Sequence, residues 1–152
     1  MAISYENIYY DFVLDGIRDI LTTEFTYGTV YISQEINDAP PFSIRLWGNT
    51  ANTVEFASNQ WTKEYFVEID LYMVEKNPSE VFYKQLYNDA ERIYQLLFNN
   101  NEKSITVGSV TNNWYDGEVS DMAVNDLTSD EALIDGLNKI SFDFSCKVSR
   151  SS

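Results

Sequence analysis

Glu64-Tyr65-Phe66-Val67-Glu68-Ile69-Asp70-Leu71-Tyr72-Met73 is followed within a few residues by Asn77-Pro78-Ser79-Glu80. In the first stretch Tyr65, Val67, Ile69, Leu71 and Met73 fall on one side of an extended chain. Glu64, Phe66, Glu68, Asp70 and Tyr72 fall on the other. That period of two predicts a half-buried strand, and a one-residue slip would bury Glu68 and Asp70, so its register is self-defining. The second stretch predicts a helix start, with Asn77 as N-cap, Pro78 at the first helical position and Glu80 at the third. Phe82, Leu86, Ala90, Ile93 and Leu97 then recur at helical spacing as far as Phe98, and Asn99-Asn100-Asn101 ends the run.

Outward from this pair the pattern repeats with less regularity. Ile8, Tyr9, Phe12, Val13, Ile17, Ile20 and Leu21 predict an N-terminal helix from Ser4, its plausible N-cap, to Glu24. Gly16 inside it weakens the helix by about 1 kcal/mol relative to Ala and points to a close packing contact. Strands are expected at residues 29–36, 42–47 and 104–110, and Ile140–Val148 is a last, regular one. Pro40-Pro41 separates the first two. From Gly48 to Gln60 an Asn- and Thr-rich segment reads as a long hairpin arm whose walls extend its flanking strands, and Thr111–Gly136 reads as a polar, acidic stretch. The expected architecture is one α+β domain in the order α-β-β-β-α-β-β. Its mainly antiparallel sheet has about five strands, with two helices packed on one face.

Composition narrows the chemistry. The 152 residues include no histidine and one cysteine, Cys146. The commonest general base and metal ligand is therefore missing, Ser-His-Asp and Cys-His arrangements are impossible, and no internal disulfide can form. Cys146 lies on the apolar side of the last strand and reads as an inert core thiol. No phosphate-binding glycine loop occurs. Neither cofactor nor metal is expected. The opening Met1-Ala2-Ile3-Ser4-Tyr5-Glu6 lacks a basic and an apolar region, so no secretory signal is expected, and synthesis in a reducing cytoplasm fits. No apolar run is long enough to span a bilayer. A net charge of −14 repels phosphate backbones and anionic membranes. It serves either solubility or a surface that DNA must pass without adhering.

Two further features stand out. Glu68 and Asp70 share a strand face, which reads as a solvated or channel-facing surface or, less simply, as a catalytic carboxylate pair. Eleven Tyr, nine Phe and three Trp exceed what a core of this size needs. Tyr83, Tyr87 and Tyr94 flank the core stripe of the second helix, and Trp47 and Trp61 bracket the arm. Both groups suit either a roof over the core or a subunit contact.

The order helix, strand, Phe42-Ser43-Ile44-Arg45-Leu46-Trp47, arm, long strand, capped helix, strand, acidic segment and closing strand resembles the tail terminator (tail completion) proteins of long-tailed bacteriophages. The resemblance is architectural and runs from about Tyr5 to Val148, and the Thr111–Gly136 segment is longer than in that pattern. It implies a non-enzymatic virion protein that forms a hexameric ring, caps the tail tube and docks the head-side connector while DNA passes through unbound. In such a ring Glu68, Asp70 and Asp143, or the acidic segment, would line the channel, and the arm around Val54 and Phe56 would lock onto a neighbour or the tube. Other neck or tube components, an acidic DNA mimic that inhibits a host protein, and a carboxylate hydrolase are the competing classes.

Overall fold

A computed structural model describes residues 5–26, 28–33, 41–126 and 136–151. Its elements are a π-helical stretch Ile8–Leu14 continuing into α1 (Asp15–Glu24), β1 (Thr29–Ile32), β2 (Phe42–Ala57), β3 (Gln60–Val74), α2 (Glu80–Asn99), β4 (Lys103–Val107), β5 (Val110–Asp126) and β6 (Leu137–Ser151). The strands form one sheet in the order β1-β2-β3-β6-β5-β4. It is mixed and curled, with β1 parallel to β2 and every other pair antiparallel.

Both helices pack on one face of this sheet, as the amphipathic patterns predict. The π-helical stretch touches β2, β3, β4 and β5, while α2 lies over β5 and β6. Beneath them sit Val67, Ile69 and Leu71 of β3 and Ile140, Phe142, Phe144 and Cys146 of β6, all essentially inaccessible. Gly16 is the close contact its position suggested, since a Cβ there would lie 2.9 Å from the Trp114 ring and 3.1 Å from Ile105. Arg92 of α2 ties the helices together through an ion pair with Glu24 and by stacking its guanidinium 4.7 Å from the Phe25 ring.

Several expectations need correction. Among the described residues the sheet has six strands, because the polar segment after residue 110 is itself a strand as far as Asp126. Its apolar alternation is broken by two bulges, at Asp116 (φ 51°) and Asp121 (φ 56°), so Val119 and Met122 face the core three residues apart rather than two. The strand expected at 104–110 turns at Gly108-Ser109 and pairs back on β5. β1 ends at Ile32, and the remainder of the stretch expected to 36 lies mostly outside the described residues. The last strand extends beyond 140–148 at both ends. Asn7, not Ser4, caps the first helix through its side chain, which accepts from the Tyr10 amide, and Ser4 lies outside the described residues. Ser79, not Asn77, caps α2, because its hydroxyl reaches the Phe82 amide at 3.4 Å and the helix starts at Glu80. The arm, as expected, is a hairpin whose walls continue β2 and β3, with two bulges in β2, to a two-residue turn at Ser58-Asn59.

Candidate functional site

Strand alternation places Glu68, Asp70 and Asp143 on the face opposite the helices. Across the sheet Arg45 faces Asp70, Trp47 faces Glu68, and Glu68 in turn faces Asp143. The structure treats the three carboxylates differently. Asp143 is exposed and Glu68 half-buried, but Asp70 is wholly buried. Asp70 therefore does not present its carboxylate to solvent, which corrects its reading as a surface group. Lys139 Nζ lies 3.7 Å from Asp70 Oδ2, and the Tyr72 hydroxyl donates to the same oxygen at 3.5 Å. Arg45 is buried beside it with its guanidinium 4.5 Å from the Tyr31 ring centre.

Burial raises the carboxyl of Asp70 above the ordinary range, against the opposing pull of the Ser141 hydroxyl and the Lys139 charge. Glu68 is raised for the same first reason, with the Asp70 charge adding to it. The two carboxyls behave as a pair that resists double ionisation. Tyr72 is also pushed upward by burial, then by Asp70. A hydrolytic pair needs a cleft around it. The open hollow of about 400 Å³ on this side of the sheet is lined by Asn49, Asn52, Phe66, Ser120 and Asp143 among others, and reaches neither Glu68 nor Asp70. What the arrangement supplies is an internal acid–base network with Asp143 at its accessible margin.

The aromatic candidates fall into two separate places. At the arm, Phe56 is 83 % exposed and pairs across the hairpin with half-buried Trp61, while Val54 is 54 % exposed. Lys63 lies over both the Trp61 and Tyr65 rings. Trp47 is half-buried near the root of the arm, at the level of Glu68. A second open hollow, about 530 Å³, runs between the arm tip and the chain start. Phe56, Trp61, Tyr5, Ile8 and the Glu6–Arg150 ion pair border it. On α2, Tyr83 and Tyr87 are exposed and stack with ring centres 6.4 Å apart, whereas Tyr94 is half-buried against the core. Tyr83 and Tyr87 belong to the first turns of α2, which begins at the end of β3 farthest from the arm turn. They and the arm tip therefore do not form one patch.

Tyr9, read in the sequence only as part of the first helix's apolar stripe, holds the arm in place. The Tyr9 hydroxyl donates to the carbonyl oxygens of Thr50, at 3.0 Å, and Phe66, which pins the bulge between Gly48 and Thr50. Burial raises the Tyr9 phenol, and that of Tyr65 is pushed up to about 12 by the same cause. Arg45 was legible only as a polar position in an alternating strand, and Lys139 fell just before the strand expected at 140–148. Their role required knowing which strands are neighbours. Cys146 is buried with its thiol pushed up to about 12 by desolvation, so it is chemically quiet. No described helix is long and apolar enough to cross a membrane. No family model and no curated protein matches the chain.

Proposed function

We propose that this chain is a structural, non-enzymatic component of a phage virion, a tail terminator that closes into a hexameric ring on the end of the tail tube. One side of the ring caps the tube and the other receives the head-side connector. The observation that carries this reading is the distribution of exposed apolar side chains. Val54, Phe56, Val107 and Val124 stand out from strands at the two borders of the sheet, while Val81, Tyr83, Tyr87 and Phe98 are exposed on α2. Apolar groups at opposite borders suit a molecule bounded by copies of itself. The net charge of −14 supports the second half of the reading, because an annulus of such subunits offers DNA no counter-charge to bind. Asp143, exposed, and Glu68, half-buried, are the channel-facing candidates on the helix-free face, and Asp70 supports them from below. The protein is then made in the host cytoplasm and ends in the virion.

Light scattering after size exclusion, with negative-stain images, tests this directly, both for the protein alone and with isolated tail tubes. Closed rings with a DNA-wide pore are expected. A protein that stays monomeric and binds no tube would refute it.

A further inference from the structure

The two outermost strands are short and sit at opposite corners of the sheet. β1, four residues long, covers only residues 43–46 of β2, so residues 48–57 of that strand have no described strand on their outer side. β4, five residues long, covers only residues 110–114 of β5 and leaves 115–126 open in the same sense, apart from the Gly117 amide, which bonds to the Asn101 carbonyl. Long open strand edges recruit further strands.

The registers give the height of each step. Lys103 lies opposite Trp114, Trp114 opposite Val148, Val148 opposite Lys63, and Lys63 opposite Thr53. β4 thus stands level with residues 53–57 of β2. On the other border Thr29 traces through Ser43, Tyr72 and Lys139 to Asn125, and Ile32 through Leu46, Ile69 and Phe142 to Met122. β1 thus stands level with residues 122–125 of β5. Each border is a step, and the two steps are complementary.

From this geometry we infer that neighbouring copies join by a lap of their sheets. β4 of one copy fills the step beside residues 53–57 of the next copy's β2, and that copy's β1 fills the step beside residues 122–125 of the first copy's β5. Strand directions are consistent with it. β1, β2, β6 and β4 run one way and β3 and β5 the other, so the β4–β2 contact is parallel and the β1–β5 contact antiparallel. The contact is head-to-tail, the kind that closes rings. The inference rests on the ring reading and says which surfaces make the ring.

Two independent observations point to the same segments. The exposed border residues Phe56, Val107 and Val124 lie at these levels on the helix-bearing face, so Phe56 and Val107 come together when β4 docks. The bulges that protect an open edge lie at Gly48/Thr50 and Thr53/Glu55 on β2 and at Tyr115/Glu118 and Ser120/Met122 on β5. Residues 55–57, the greater part of the 53–57 stretch that the lap would cover, and residues 122–125 lie beyond them and are regular.

The test is cysteine cross-linking under mild oxidation. Ser104 and Glu55 are exposed and fall at the same level on the helix-free face of their strands, and native Cys146 is buried. Mixing S104C with E55C should give covalent dimers, while neither variant alone should. The double variant should give a ladder ending at the closed ring. A second variant attacks the edge itself. The two-residue turn makes Val107 and Val110 the hydrogen-bonded pair, so the Thr106 amide turns away from β5. Thr106→Pro should keep the fold by circular dichroism yet weaken association about tenfold, the worth of one lost hydrogen bond per contact. Rings that form without the mixed cross-link, and that Thr106→Pro leaves unchanged, would overturn the lap while leaving the ring intact. Cross-links within E55C alone would mean a two-fold contact and overturn the lap. Protein that stays monomeric with and without tail tubes would remove ring and lap together.

Discussion

β3 carries two different kinds of cohesion on its two faces. Under the helices Val67, Ile69 and Leu71 belong to the hydrophobic core, and the apolar area they remove from water stabilises the fold without directional requirements. On the reverse face, one residue away in each case, Asp70 and Tyr72 are just as inaccessible but sit in a network with Lys139 and beside Arg45. The first face holds the domain together. The second adds little net stability, because desolvating charges offsets most of what their pairing returns. It can form only where β2 and β6 flank β3, because Arg45 comes from the first and Lys139 from the second.

This contrast can be broken experimentally, starting where the largest effect is expected. Phe142→Ala, in the helix-covered core, should cost about 3–5 kcal/mol, read as a large drop in the urea midpoint with little change in slope. A loss below about 1 kcal/mol would mean that the helix-bearing face is not the main source of stability. Gly48→Ala lies on the same side but at its margin. Its Cβ would sit 2.6 Å from the Tyr9 ring, so the helix start must shift and the cost should be about 1–3 kcal/mol. Faster amide exchange confined to residues around Thr50 would show that the shift releases the arm.

The smallest change is expected on the reverse face. Asp70→Asn should alter stability at neutral pH by about 1 kcal/mol or less, because the ionised carboxylate is not favoured where it sits. Its signature is in pH. The folded carboxyl titrates above its ordinary 3.8, so in the window above that value the folded state holds more protons than the unfolded one. Stability from this group is fullest below the unfolded pKa and declines as pH rises through the folded one. Glu68 acts in the same direction, while Tyr72, raised further above its ordinary 10.0, stays protonated through the window. The variant should flatten the fall of stability with rising pH. An unchanged profile would show that Asp70 is not a proton-holding group in the folded protein.

Local periodicity carried much of the fold. β3 and β6 were legible to within a few residues because an unbroken alternation needs no knowledge of the neighbours. Both helices were legible because their apolar stripes are continuous, although each cap was misplaced by two or three residues toward an equally good capping side chain. The arm was legible as a hairpin because an Asn- and Thr-rich segment without proline joins two alternating strands. β5 was not legible. Its two bulges shift the alternation at Asp116 and Asp121, and a strand that changes phase twice in seventeen residues looks like a polar loop. Among the site candidates, the sequence left Tyr83 and Tyr87 open between a roof over the core and an exposed contact, and it did not reveal the burial of Asp70. Three carboxylates in identical local patterns end up exposed, half-buried and enclosed.

The amino-acid sequence by itself determined an acidic α+β domain without histidine, two amphipathic helices, and strands whose sides were sorted before any pairing was known. Those properties depend on residues a few positions apart, where the geometry of helix and strand is universal. Only the tertiary structure decided that the sheet has a sixth strand, that β1 runs parallel at its edge, that Asp70 is sealed between β2 and β6, and that the two borders step in complementary fashion. Each of these depends on which distant strands become neighbours and at what register, and that choice is made by burying the whole core at once.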